Sequence, residues 1–172
     1  MYVRTNVLYN SPQYMVEQYS QKLIVVRHAE PDRVTGHLTE NGKSQAKTFA
    51  YRLGVIAPES TQLLTGNAYR LEETANIIGS ILKISVDRLA RLSTTSSTRN
   101  MLKPSPTYDE EATLKQVLSK ILPITTLVII IAHSEMMNDL PYVHARGILT
   151  NKNFNNMTGY AIYPDGRYNL IS

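Results

Sequence analysis

The stretch Leu23-Ile24-Val25-Val26-Arg27-His28-Ala29-Glu30 decides the fold. It begins with four consecutive apolar residues, three of them β-branched, a pattern typical of a strand that is buried on both faces. The apolar run ends abruptly at an arginine and a histidine. Ligands of open α/β sheets bind beyond the carboxyl ends of the strands, so this Arg-His pair is a candidate functional site.

The rest of the chain alternates predicted strands and helices. Apolar residues at helical spacing predict one helix after Thr39, a second over about 69–82 and a third behind the capping pair Thr107 and Glu110. Further strands are predicted at 62–65, 84–86 and 127–131, with a C-terminal β-hairpin around Pro164-Asp165-Gly166. This order predicts an α/β three-layer sandwich, with a mostly parallel central sheet flanked by helices.

The length predicts one domain. Residues 1–21 are polar and rich in tyrosine and are interpreted as an N-terminal extension, followed by a single domain over 22–172. The Ser/Thr-rich segment 91–107, which contains two prolines, is interpreted as a long loop.

Composition excludes several classes of protein. The 172 residues carry a net charge of +4, but no two of the 18 basic residues are adjacent, so nucleic acid is not the expected partner, whereas a small anion is. Without cysteine there is no disulfide or thiolate nucleophile. The longest apolar run, 127–132, is far shorter than the roughly 20 residues of a membrane helix, and the start lacks the apolar core of a secretion signal. We therefore expect a cytoplasmic protein with no membrane partner.

A second histidine, His133, follows the aliphatic strand 127–131. In one pocket with Arg27 and His28 it suits phosphoryl transfer: a neutral imidazole attacks phosphorus, guanidinium disperses phosphoryl charge, and a second imidazole can donate to the same oxygens. This chemistry needs no cofactor. His28, Glu30 and Asp32 could each ligate a metal, but the cation of Arg27 opposes a dication there, and no metal site is predicted.

Four segments together resemble the histidine phosphatase (phosphoglycerate mutase-like) superfamily. Arg27-His28-Ala29-Glu30 is similar to its R-H-G-E motif, and the segment 38–46, Leu-Thr-Glu-Asn-Gly-Lys-Ser-Gln-Ala, to its L-T-E-x-G-x-x-Q-A helix start. The segment 70–75, Arg-Leu-Glu-Glu-Thr-Ala, is similar to R-A-x-x-T-A, and Ala132-His133 to the late G-H. A match to any one of these motifs is weak evidence for the family, but four matches in the same order and spacing are specific for it.

The resemblance implies a function and a set of site residues. His28 would be the nucleophile that becomes phosphorylated, and Arg27, Arg70 and His133 would complete a catalytic, phosphate-binding pocket. The length suits the SixA-type phosphohistidine phosphatases, so we expect a phosphatase that acts on a phosphorylated small molecule or a phosphoprotein. Two alternatives stay open: a non-catalytic phosphate-binding module and a phosphoglycerate mutase-type phosphotransferase.

The chain departs from the family pattern beside both histidines and at the general acid. Ala29 and Ala132 replace glycines, while Arg91 occupies the place of the glutamate that protonates the leaving group in the mutase-like branch. Glu135 is the first candidate for the missing acid and 109–111 the next, with Arg91 as an added substrate-binding cation. A phosphoramidate needs less acid assistance, and the SixA-type proteins also lack this glutamate.

The remaining polar residues near the motifs have simpler interpretations. Glu30 is expected to orient its loop by local hydrogen bonds, and His37 to be either a solvated loop residue or a substrate contact. His144 and Arg146 lie outside every motif and are not assigned to the site.

Overall fold

A computed structural model describes residues 23–54, 60–89, 127–134, 137, 154–162 and 168–172. Its strands are β1 (Leu23–Arg27), β2 (Thr61–Thr65), β3 (Val86–Arg88), β4 (Leu127–Ala132), β5 (Gly159–Ile162) and β6 (Tyr168–Ile171). Its helices are α1 (Glu40–Gly54) and α2 (Tyr69–Leu82).

The six strands form one sheet in the order β3-β2-β4-β1-β5-β6. The first four are parallel in their pairings, whereas β5 is antiparallel to both β1 and β6. The predicted α/β fold with a mostly parallel sheet and an antiparallel C-terminal pair is therefore confirmed. Because β1 and β4 are parallel neighbours, Arg27 lies beside Ala132 at the same edge of the sheet.

Both described helices pack on one face of the sheet. The predicted apolar face of α1 is buried there, together with that of α2, although Leu82 is only partly buried. Alternate strand residues form a second cluster on the opposite face, which Leu89, Met137 and Phe154 join. The third predicted helix, from Thr107, lies outside the described residues, so the third layer stays a prediction.

The third strand begins two residues later than predicted. Lys83 ends α2 in the left-handed conformation (φ 57°), and the N–H of Ile84 donates to the carbonyl of Gly79 over 3.0 Å. This cap places Ile84 and Ser85 in the connection, so that pairing with β2 starts at Val86 opposite Leu63.

Several sequence predictions fall outside the described residues. They are the extension 1–21, the loop 91–107, the helix from Thr107 and the turn at 164–166. Among the described helices, neither is long and apolar enough to cross a membrane.

Candidate active site

The two histidines of the sequence motifs meet where β1 and β4 end. The N–H of His28 donates to the carbonyl of Ala132 over 3.1 Å, which continues the strand pairing past the end of β1. The imidazole centroids of His28 and His133 are 5.1 Å apart at an interplanar angle of 78°, and each residue is only 3% exposed. The sheet register thus brings together side chains that are far apart in sequence.

The hydrogen bond of His28 fixes which of its nitrogens can react. Nδ1 lies 2.7 Å from the carbonyl oxygen of Ala29, which can only accept, so Nδ1 carries the proton. Burial lowers the pKa of His28 from 6.5 to about 4, opposed by the bond to Ala29 and assisted by the charges of Arg70 and Arg27. At neutral pH the ring is therefore uncharged, with a free electron pair on Nε2.

His133 is also uncharged at neutral pH in this pocket. Its pKa is lowered to about 3 by burial first, then by His28 and by the charges of Arg70 and Arg27. Its Nε2 is buried and has no hydrogen-bond partner among the described residues. In the neutral tautomer that carries its proton on Nε2, this nitrogen can donate to the oxygen of a bound anion.

Arg27 and Arg70 supply the positive charge. Arg70 lies in the first turn of α2, and Arg27 is the last residue of β1, where its guanidinium donates to the carbonyl of Phe154. Both cations lower the pKa of both imidazoles, which places all four groups in one electrostatic environment. Two guanidiniums beside two neutral imidazoles suit a phosphoryl group better than a cationic ligand.

The loop that carries His28 is anchored to α2 by Thr74. The N–H of Ala29 donates to the hydroxyl oxygen of Thr74 over 3.1 Å, and that hydroxyl donates to the carbonyl of Arg70 over 2.6 Å. One fully buried threonine therefore ties the loop of His28 to the helical turn that carries Arg70.

The same loop is anchored to α1 through Glu30. Its carboxylate accepts from the hydroxyl of Thr39 at 2.9 Å and from Asn41 Nδ2 at 2.8 Å, and its N–H donates to Gln45 Oε1 over 3.0 Å. These bonds agree with the prediction that Glu30 orients its loop by local hydrogen bonds. Thr39 also caps α1, since its hydroxyl accepts from the N–H of Gly42 at 2.9 Å.

Gly42 is required by the close approach of α1 to this loop. A Cβ atom built on it would lie 2.1 Å from the carbonyl oxygen of Glu30, which no side chain can tolerate. The motif segment 38–46 is therefore a scaffold for the loop behind His28.

His37 lies on the outer part of the loop. Its Nδ1 is 2.5 Å from a carboxylate oxygen of Glu73, and its ring stacks on Tyr69 with centroids 4.4 Å apart. The other carboxylate oxygen of Glu73 accepts from the N–H of Leu38 over 2.8 Å. His37 is thus half exposed and held against α2, and a substrate contact there stays a prediction.

The carboxylates of the His28-x-Glu30-x-Asp32 run have separate partners. Asp32 Oδ1 accepts from the N–H groups of Val34 and Thr35, whereas Glu30 is bonded to α1. Within the part of the chain that the structure describes, no three metal-ligating side chains come together.

The structure adds residues that the sequence reasoning missed. The motifs contain Thr74, Gln45 and Gly42 but do not indicate their roles: Thr74 and Gln45 anchor the loop of His28, and Gly42 permits its close approach to α1. Phe154 acts through a backbone carbonyl, for which a sequence gives no signal. Of the other predicted residues, Arg91, Glu135, 109–111, His144 and Arg146 lie outside the described residues.

Comparison with solved structures identifies the fold. A mycobacterial glucosyl-3-phosphoglycerate phosphatase complexed with VO3 matches with a TM-score of 0.64 at 16% identity, over 87% of this chain and 96% of that one. The protein histidine phosphatase SixA complexed with tungstate matches with a TM-score of 0.60 at 19% identity, over 86% and 92%. A structure described as mycobacterial hydrolase 1 matches with a TM-score of 0.58 at 17% identity, over 88% and 97%.

These neighbours are members of the histidine phosphatase superfamily, and the chain has their fold. Neither a family model nor a curated protein matches the sequence. At these low sequence identities the structural similarity shows the fold alone, so the function has to be argued from the site.

Proposed function

We propose that the protein is a metal-independent phosphatase that hydrolyses a phosphorylated substrate through a phosphohistidine on His28 Nε2. The observation that carries this proposal is the fixed state of His28: a buried, neutral imidazole with its proton on Nδ1 and its electron pair on Nε2. It stands edge to face against a second imidazole and in the field of two arginines.

In the first step, Nε2 attacks the phosphorus atom and the leaving group departs with the bonding electron pair. The imidazole of His28 becomes positively charged, and its Nδ1–H remains bonded to the carbonyl of Ala29, which stabilises that charge. Arg27 and Arg70 stabilise the negative charge of the phosphoryl oxygens. With its proton on Nε2, His133 donates to one of these oxygens, which gives this nitrogen the partner it lacks among the described residues.

In the second step, water attacks the phosphorus atom of phospho-His28. The P–N bond breaks, its electron pair returns to Nε2, and the water proton leaves with phosphate or to solvent. The hydrogen bond to Ala29 again leaves Nε2 unprotonated, so the site is ready for another cycle.

The state of Glu30 favours a phosphoramidate as substrate. Glu30 is the carboxylate nearest to His28 in sequence, but its oxygens accept from Thr39 and Asn41. Alkyl phosphoesters need an acid to protonate a poor leaving group, whereas the nitrogen of phosphohistidine is readily protonated by solvent. Neighbours with this fold have been complexed with tungstate, VO3 and inorganic phosphate, which supports a phosphoryl pocket.

The test is hydrolysis of phosphohistidine and of an aryl phosphate in excess EDTA. We expect turnover of both substrates and a loss of about 1000-fold or more in His28→Ala. Loss of activity on chelation, or full activity in His28→Ala, would contradict the proposal.

The same assay separates the two alternatives. Phosphate binding that depends on Arg27 and Arg70 without any turnover would indicate a non-catalytic binding module. Transfer of the phosphoryl group from a bisphosphorylated donor to an acceptor, without net release of phosphate, would indicate a mutase-type phosphotransferase.

A further inference from the structure

Tyr160 lies on β5 and connects this antiparallel strand to the turn that follows His133. The tyrosine is completely buried, and its hydroxyl donates to the carbonyl of Met137 over 2.6 Å. The N–H of Met137 in turn donates to the carbonyl of His133 over 3.1 Å, which closes one helical turn. The hydroxyl therefore restrains the turn that begins at the second histidine.

The ring of Tyr160 also lies next to the residue that holds Arg27. Its centroid is 5.8 Å from that of Phe154, at an interplanar angle of 50°, and the carbonyl of Phe154 accepts from the guanidinium of Arg27. Tyr160 lies opposite Val25 in the β1–β5 pairing, two residues before Arg27. One side chain is thus in contact with the supports of both groups.

The segment before β5 also forms hydrogen bonds with the backbone of Arg27. The N–H of Arg27 donates to the carbonyl of Thr158 over 3.0 Å, and its carbonyl accepts from the N–H of Met157 at 3.1 Å. Met157 holds the left-handed conformation (φ 56°) while its side chain is buried, and Thr158 closes the turn through its hydroxyl, 2.8 Å from the carbonyl of Asn155. A buried non-glycine residue in this conformation persists only where its surroundings fix it.

We propose that Tyr160 is a positioning residue, whose hydroxyl sets the placement of His133 through Met137, while its ring packs beside Phe154, which accepts from Arg27. Its effect on turnover rests on the proposed function, whereas its effect on the affinity of the pocket for a phosphate analogue does not. A phenylalanine would fill the same apolar volume, so the hydroxyl is the part that fixes the turn after His133. Small displacements of site groups reduce rates and affinities steeply, because transition-state contacts depend on geometry.

The variant Tyr160→Phe tests this inference, with Tyr168→Phe as the matched control. Tyr168 lies on β6 and packs against the same apolar cluster, but it is only partly buried. We expect Tyr160→Phe to bind orthovanadate roughly tenfold more weakly and to lower kcat/KM to a similar degree, mostly through kcat. Tyr168→Phe should change either quantity less than about twofold.

A double-mutant cycle with His133→Asn separates positioning from a general loss of stability. If Tyr160 acts through His133, Tyr160→Phe should reduce orthovanadate affinity much less in the His133→Asn background than in the wild type. Equal losses in both backgrounds, or unchanged affinity in Tyr160→Phe at a temperature where the circular dichroism is native, would overturn the inference. Wild-type protein that binds vanadate but turns over no phosphorylated substrate would instead overturn the proposed function and leave the affinity cycle to decide on Tyr160.

Discussion

The two histidines of the site are supported in different ways. The loop of His28 is tied to both helices by side chains, through Thr74 on α2 and through Gln45, Asn41 and the cap Thr39 beside α1. His133 follows the fully buried strand β4, and its described support is a backbone turn to which Tyr160 bonds on the sheet face away from α1 and α2.

This difference corresponds to a division of roles. The bond to Ala29 fixes the tautomer of His28 and leaves Nε2 for the attack that we propose. Within the described residues, Nε2 of His133 is buried without a partner, a state that a bound phosphoryl oxygen would relieve. Under the proposed function, His28 is set before the substrate arrives, whereas Nε2 of His133 gains its partner only when the substrate binds.

The largest expected effect comes from breaking the contact of α1 with the His28 loop. In Gly42→Ala the new Cβ atom meets the carbonyl oxygen of Glu30, so α1 and the loop must separate. We expect the free energy of unfolding to fall by roughly 3 kcal/mol or more, with a large loss of activity, as measured by urea denaturation and phosphatase assay.

The matched control for this substitution is Gly54→Ala at the end of the same helix. A Cβ there would make only an ordinary contact, 3.5 Å from a methyl group of Leu82. A loss of stability in Gly54→Ala equal to that in Gly42→Ala would contradict the proposed close packing of the loop.

The next effect is a fall in stability at acid pH, because both imidazoles are buried in the neutral state. The folded pKa values are about 4 for His28 and about 3 for His133, against 6.5 for the unfolded chain. Below 6.5 the unfolded chain binds more protons, so stability is full above that pH and falls as the pH drops towards the folded pKa values. His28 alone corresponds to roughly 3 kcal/mol over this range.

Denaturation of the wild type and of His28→Gln from about pH 8 to about pH 5 measures this effect. The wild type should lose stability more steeply with falling pH than the variant. Parallel curves would show that His28 is not buried in the neutral form.

Removing the charge of Arg70 on α2 tests whether His28 and His133 share one electrostatic environment. Arg70→Ala should weaken vanadate binding roughly 10- to 100-fold, because a charged hydrogen-bond donor is lost. The pKa values of His28 and His133 should both rise, since Arg70 lowers each of them. NMR titration of the imidazoles measures these changes.

The control for Arg70 is Arg52→Ala, which removes an exposed cation from the last turn of α1. It should leave vanadate affinity within about twofold of the wild type. An equal loss in both variants would mean that only the net charge matters.

The smallest effect is expected at the link between the His28 loop and α2. Thr74→Val keeps the shape of the side chain but leaves the N–H of Ala29 without its acceptor. We expect a loss of about 1–2 kcal/mol of unfolding free energy and a lower kcat/KM, with recovery in Thr74→Ser. If Thr74→Ser behaves like Thr74→Val, the hydroxyl is not what anchors the loop.

The sequence predicted the fold where its patterns were unambiguous. The apolar runs of β1 and β4 and the helical spacing of α1 and α2 placed these elements nearly to the residue. The predicted start of β3 was wrong because the left-handed cap at Lys83 lengthens the connection. A lysine is not a residue type that indicates this conformation.

The site was predictable where it rests on side chains in motifs. The rule that ligands bind at the ends of parallel strands selected His28 and His133, and the structure places their rings together. What could not be predicted acts through backbone atoms or long-range packing: the carbonyls of Ala29 and Phe154, the tautomer of His28, and the bond from Tyr160 to Met137.

Trapping the phosphoenzyme tests the central claim most directly. The protein is mixed with phosphohistidine or an aryl phosphate, denatured during turnover, digested under alkaline conditions and analysed by mass spectrometry. The account predicts one acid-labile, base-stable phosphoryl group on His28, with none on that peptide in His28→Ala. Turnover without a phosphorylated His28, or with the phosphoryl group on another residue, would contradict it.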